Sequence, residues 1–155
     1  MLQPMTELVR IGWKLYARGQ SPFNAAMSYT VNNAIIGAFP DYEIDASKVF
    51  ISRGPLTPAQ NGAAIVVSGN LAFSWDDNSG INCAKPTDKA LIAVLNFDKG
   101  LAVTISEGAE RATGTQTIVL PADWAGDEVQ AYLGFISDDR RNVANSVYLG
   151  SIDIN

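Results

Sequence analysis

The chain contains no histidine, and Cys83 is its only cysteine. Without an imidazole there is no Ser-His-Asp or Cys-His pair. Without a second thiol there is neither an internal disulfide nor a zinc site built from Cys and His within one chain. Whatever core the fold has must therefore come from apolar burial. Cys83 itself, in Ile81-Asn82-Cys83-Ala84-Lys85, has one neighbouring cation and no base, and reads as an inert thiol. Basic residues are scarce as well. Eleven Lys and Arg face 16 Asp and Glu, giving a net charge of −5. The acids are spread along the chain, so the average field repels phosphate backbones and nucleic acid is not an expected partner. The one basic cluster, Arg140-Arg141, follows directly on Asp138-Asp139, which largely cancels it. No apolar run approaches the roughly 20 residues of a membrane-spanning helix, so no span is expected. Met1 to Thr6 lacks the basic start and continuous apolar stretch of a secretory leader.

What is present is enough apolar residue for one core. Hydrophobic residues make up 47% of 155, a length that suits one domain better than two. Two periods divide it. From Glu7 to Arg18, Leu8, Ile11 and Leu15 recur at helical spacing, with Val9, Trp13 and Tyr16 widening the stripe. Gly19 suits a helix end, and Ser21-Pro22 supplies a cap and first residue for a second helix lined by Phe23, Met27, Val31, Ala34 and Ile35. Residues 1–40 thus read as a helical hairpin belonging to the same domain as an immunoglobulin-like β-sandwich over 41–155. The expected class is mainly β, within α+β.

From Tyr42 onward the period becomes two, and turn signals recur about every ten residues. Seven strands are predicted, near 49–53, 65–75, 89–97, 101–106, 115–120, 128–137 and 146–152. Alternation also tells how many faces of each strand are covered, because successive side chains point to opposite sides of a sheet. In 65–75, Leu71, Phe73 and Trp75 oppose Asn70, Ala72, Ser74 and Asp76, a one-sided pattern. In 89–97, Leu91, Ala93, Leu95 and Phe97 oppose Ala90, Ile92 and Val94. In 128–137, Val129, Ala131, Leu133 and Phe135 oppose Gln130, Tyr132, Gly134 and Ile136. Both faces of these two strands are largely apolar, and a bare outer face would forgo several kcal/mol at about 25 cal/mol per Å². The helical hairpin is expected to cover it. A second copy or another protein partner is the competing cover.

In such a sandwich the connections following 65–75, 101–106 and 128–137 meet at one pole, bringing together Asp76, Asp77, Asn78, Asp88, Glu107, Glu110, Asp138 and Asp139. Their oxygens suit calcium in chemistry but not in spacing, since Asp76-Asp77-Asn78-Ser79-Gly80 lacks the alternate acids and distal glutamate of an EF-hand and is more simply a turn. No metal or other cofactor is assigned. Two carboxylates about 5 to 10 Å apart would make a glycosidase-type acid and base, but these loops carry no aromatic wall. At the opposite pole Trp124, in Pro121-Ala122-Asp123-Trp124-Ala125-Gly126, is either a ligand platform or, the favoured reading, a plug of the core. The candidate ligand-binding set is Trp124, Asp76, Asp77, Asn78, Asp138 and Asp139, with no catalytic residue assigned.

The runs Ala38-Phe39-Pro40-Asp41-Tyr42-Glu43-Ile44-Asp45, Lys48-Val49 and Ser52-Arg53-Gly54 resemble a bacterial family known only as domain of unknown function 6266. So do Phe73-Ser74-Trp75, Asp77-Asn78-Ser79-Gly80, Thr87-Asp88-Lys89-Ala90 and Asn145-Ser146-Val147-Tyr148-Leu149-Gly150. The resemblance spans essentially the whole chain and implies no activity. Members of that family carry a further glycine-rich, basic segment ahead of the matched region, so the resemblance implies a longer parent protein. Trp75 and Tyr132 also give the β portion a likeness to immunoglobulin and fibronectin type III sandwiches, although the separation of Leu120 from Tyr132 is long for a tyrosine corner. The function expected is a non-catalytic structural or protein-interaction module, such as part of a cell-surface or phage-like assembly. A small-ligand, carbohydrate or calcium-binding sandwich is the alternative, and a hydrolase using paired carboxylates is third. The sequence assigns no compartment.

Overall fold

A computed structural model of the chain describes Trp13, Tyr29, 35–36, 43–44, Ser47, 49–81, 84–97 and 99–154. The first ordered pairing within these residues joins β1 (Ile35–Ile36) to β2 (Glu43–Ile44), antiparallel. Ile35 was expected on a helical face. Two adjacent β-branched residues favour extended backbone, and here that local preference prevails over the helical period. The remainder of the expected helical hairpin lies outside the described residues apart from Trp13 and Tyr29, and the described fold is mainly β.

Seven further strands form two antiparallel sheets. The first is ordered β3-β4-β7, with β3 (Ala63–Val67), β4 (Asn70–Ser74) and β7 (Thr115–Ile118). The second comprises β5 (Lys89–Asn96), β6 (Leu101–Ile105), β8 (Glu128–Ile136) and β9 (Val147–Asp153), in the order β6-β5-β8-β9. The last five predicted strands coincide with β5 to β9 within two residues. The first two do not. The single strand expected over 65–75 is the hairpin β3–β4, reversed at Ser68 and Gly69, whose φ values of 51° and 79° give the two consecutive left-handed residues of a type I′ turn. Ser-Gly is a turn signal, hidden here because apolar residues continue on both sides of it.

The predicted strand over 49–53 is not a ladder strand. It crosses the outside of the four-stranded sheet and is held by side chains as much as by backbone. Ile51 N donates to Ser146 Oγ at 3.0 Å, Ser52 Oγ to Ala144 O at 2.7 Å, Ser146 N to Ser52 O at 3.0 Å and Gly54 N to Asn145 Oδ1 at 3.0 Å. Two glycines allow the approach. A Cβ on Gly134 would stand 2.5 Å from Ser52 Oγ, and one on Gly54 would overlap Val143 O.

Two cores result, one on each side of the four-stranded sheet. Between the sheets, Leu71, Phe73, Trp75, Ile118 and Trp124 meet Ala90, Ile92, Val94, Val129, Ala131, Leu133 and Phe135. On the outer side, Leu91, Ala93, Leu95, Tyr132 and Ile136 are covered by Trp13, Val49, Ile51 and Val143, with Tyr29, Phe50 and Tyr148 partly buried around them. The apolar outer face inferred from alternation is thus buried. Trp13 and Tyr29, both from the first forty residues, take part in burying it. Trp13 is 1% exposed, its indole N–H donates to Phe50 O at 2.9 Å, and its ring stands 5.5 Å from that of Tyr29. The Arg53 guanidinium lies over Tyr29 at 4.9 Å.

A cleft at the loop pole as candidate functional site

Loops 54–62, 75–88 and 106–114 meet where β5 begins, and one side chain ties them together. Arg111, in the single-turn helix Arg111–Thr113, is fully buried. Its Nε donates to Asp88 Oδ2 at 3.0 Å, Nη1 to Asn78 Oδ1 at 2.6 Å and Nη2 to the Thr57 carbonyl at 2.7 Å. The guanidinium also stacks over Phe135 at 4.2 Å, and the Arg111 carbonyl accepts the Trp75 indole N–H at 2.9 Å. A planar fork of donors reaching from its own loop to acceptors on the two others suits arginine and not lysine. With no side-chain exposure on either partner, the Asp88–Arg111 pair is costly to desolvate and costlier still to break.

Asp88 is the counterpart of that arginine and is equally buried. Oδ2 accepts both Arg111 Nε and the Lys85 backbone N–H, the latter at 2.9 Å, while Oδ1 is buried with no hydrogen-bond partner among the described residues. Asp88 borders a cleft of about 550 Å³ lined by Pro55, Leu56, Lys85, Thr87, Ser137, Asp138, Asp139 and Asn142. Asp88, Leu56 and Ser137 are its buried members, and the others are exposed at its rim.

The structure separates the sequence-derived candidates. Asp138 and Asp139 line the cleft, whereas Asn78 is buried, does not line it and accepts from Arg111. Asp76 and Asp77 are exposed and do not line it. Asp76 Oδ2 accepts the Asn61 amide at 2.6 Å. Asp77 caps its own turn, and hydrogen bonds from Ser79, side chain first and then backbone, hold its carboxyl below the usual range. Asp139 is fixed in the same way. Ser137 Oγ donates to it at 2.6 Å and Arg141 N at 3.0 Å, and these two bonds, in that order, lower its pKa. Trp124 is 1% exposed among the inter-sheet core residues, far from a platform at the surface.

A glycosidase-type acid requires a raised carboxyl pKa, whereas Asp77 and Asp139 are both lowered and only one of them faces the cleft. Among the described residues no three Asp, Glu, Cys or His side chains gather as metal ligands, so the calcium alternative finds no support here. No helix among them is long and apolar enough to cross a membrane. Arg111 escaped the sequence reading altogether. A lone arginine in a polar loop carries no local mark of burial, and only the acceptors that surround it in space reveal its role.

A family model described as a family of unknown function (DUF6266) matches residues 1–150. No curated protein and no solved structure matches the chain.

Proposed function

We propose that this chain, which belongs to the DUF6266 family of unknown function, is a non-catalytic interaction module that recognises its partner with the loop pole. The observation that carries this reading is Arg111, a buried cation that joins three loops through hydrogen bonds and holds the cleft above it in one shape. Loops ordered before binding lose less entropy on binding, which is the advantage of a rigid recognition surface. The strand order supports the same reading. Three strands β3-β4-β7 against four strands β6-β5-β8-β9 resembles the immunoglobulin and fibronectin type III sandwiches, in which loops at one end of the sheets carry recognition. The cleft is lined by the β4–β5 and β8–β9 connections, the pair at that end.

The test has two arms run on the full chain. Amide chemical shifts are recorded against a panel of glycans, short peptides and small polar molecules, while the same panel is assayed for turnover. The expected result is no turnover and responses gathered at 55–58, 85–88 and 137–142. Turnover that is lost in Asp77→Ala or Asp139→Ala, or responses confined to the outer face of the β3-β4-β7 sheet, overturns the reading.

A further inference from the structure

We propose that Asn61 is a site of spontaneous deamidation, a one-way hydrolysis whose product unfastens loop 54–62 from loop 75–88. The event needs no partner and stands apart from the proposed function. Asn61-Gly62 is the only Asn-Gly pair in the chain. In such a pair the glycine nitrogen attacks the amide carbon of the asparagine side chain, since no Cβ on the following residue blocks the approach. A bond forms between the Gly62 nitrogen and Asn61 Cγ, the Cγ–Nδ2 bond breaks, and ammonia leaves a succinimide ring behind. Water then opens the ring at either carbonyl, giving aspartate or isoaspartate. The sum is amide plus water to carboxylic acid plus ammonia, with no oxidant or cofactor.

The fold builds this pair into an accessible place. Asn61 is exposed, and its φ of 52° is left-handed backbone that asparagine adopts more readily than most residues. A Cβ on Gly62 would stand 2.9 Å from Leu149 Cδ2, so any larger residue there requires Leu149 to shift. Other asparagines of the pole are protected. Asn78 is buried with both ends of its amide bonded, accepting from Arg111 Nη1 at 2.6 Å and donating to the Pro58 carbonyl at 3.2 Å. Asn142 and Asn145 are exposed but precede Val143 and Ser146, whose side chains hinder the attack.

What the amide holds together sets what its loss undoes. Asn61 Nδ2 donates to Asp76 Oδ2 at 2.6 Å, and Asp76 N donates to the Gln60 carbonyl at 3.0 Å, so the two bonds fasten one loop to the other. The reaction requires the Asn61 side chain to rotate off Asp76, which its exposure permits. Once the donor is replaced by a carboxylate oxygen, two anions face each other where a hydrogen bond stood, and like charges at that spacing drive the groups apart. Isoaspartate also adds a methylene to the backbone at the same point. Loop 54–62 carries the Thr57 carbonyl that Arg111 Nη2 reaches, together with Pro55 and Leu56 of the cleft lining, so the loosening starts at one edge of the pole.

The experiment incubates the full chain at mildly alkaline pH and body temperature, beside a free peptide of residues 59–64, and maps both by peptide mass spectrometry. Acid is expected to accumulate at position 61 ahead of every other asparagine, as a mixture of aspartate and isoaspartate. Earlier conversion at another asparagine, or an intact Asn61 once the free peptide has converted fully, overturns the site assignment. A second measurement reads the consequence directly. Asn61→Asp is expected to speed amide exchange at Asp76 and across 58–62 about threefold or more at low salt, the worth of one exposed hydrogen bond, and less so at high salt, which screens the repulsion. The swapped pair, Asn61→Asp with Asp76→Asn, again sets one donor against one carboxylate and should return exchange to the wild-type rate. Wild-type exchange in Asn61→Asp alone means that the product unfastens nothing, and acceleration that the swapped pair fails to reverse means that Asp76 is not the cause. Either result overturns the proposal, and neither touches the partner reading of the pole, which its own panel decides.

Discussion

The two sheets differ in how many of their faces the molecule uses. Strands β5 and β8 are buried on both sides, with only the first residue of each exposed or half-exposed. Strand β3 alternates between exposed and half-buried, and Ile65 at 61%, Val67 at 48% and Val119 at 73% stand in solvent on the outer side of the three-stranded sheet. Both patterns are written in period-two alternation, yet their energetic meanings are opposite. A doubly buried strand makes the sandwich depend on whatever lies outside it. The singly buried sheet depends only on the core between the two, and its outer face is free to vary.

That contrast can be broken most forcefully where the outer core is capped. Trp13→Ala removes the largest cover residue from the four-stranded sheet and should cost about 3–5 kcal/mol in urea unfolding, the range for truncating a buried aromatic side chain. A loss below about 1 kcal/mol would mean that the outer face does not need its cover. Arg111→Met strikes the tie among the three pole loops, since it leaves Asp88 buried without its cation. The expected cost is again about 3–5 kcal/mol, with faster amide exchange across 55–58 and 76–88. Gly134→Ala pushes a methyl into Ser52 Oγ and should cost about 1–3 kcal/mol, with partial rescue by Ser52→Gly. Ile65→Thr on the exposed face should stay within about 0.5 kcal/mol and would blur the contrast if it did not.

A pH series sharpens the picture at the loops. Asp77, Asp127 and Asp139 are all held below the ordinary carboxylate value of 3.8, the first and third by turn hydrogen bonds and Asp127 by Lys99 first and Asn96 second. A depressed folded-state pKa contributes stability that is present above the unfolded value and lost as pH falls through the folded one. The urea midpoint should therefore drop below about pH 4, and Asp139→Asn should flatten part of that drop by lowering the neutral-pH midpoint toward the acid value, since the variant lacks the charge whose stabilisation protonation removes. An unaltered acid limb in the variant would show that the Ser137–Asp139 bond contributes nothing to folding.

Legibility followed the range of the interaction. The two-faced strands β5 and β8 could be read from residues such as Leu91, Ile92, Tyr132 and Leu133, because alternation is a property of neighbours in the chain. The hairpin at Ser68-Gly69 was in principle readable and was obscured by apolar residues on both sides of the turn. The crossing at 49–54 was not readable, since its partners Ala144, Asn145 and Ser146 stand some ninety positions away. At the pole, Asp138, Asp139 and Asn78 were named from loop position, whereas Asp88, the buried carboxylate that borders the cleft, was named only as one of eight loop residues.

By itself the chain's order of residues determined that the fold is mainly β, that it holds no imidazole and no internal disulfide, and that one sheet has two greasy faces. Composition and period-two patterning are local quantities, present before any folding occurs. Only the tertiary structure decided that Trp13, Val49 and Ile51 close the outer face, that Arg111 is interior, and that one buried oxygen of Asp88 is left without a donor among the described residues. Each of these depends on which distant segments come within a few ångströms, and hydrogen bonds and burial are set by that proximity rather than by position along the chain.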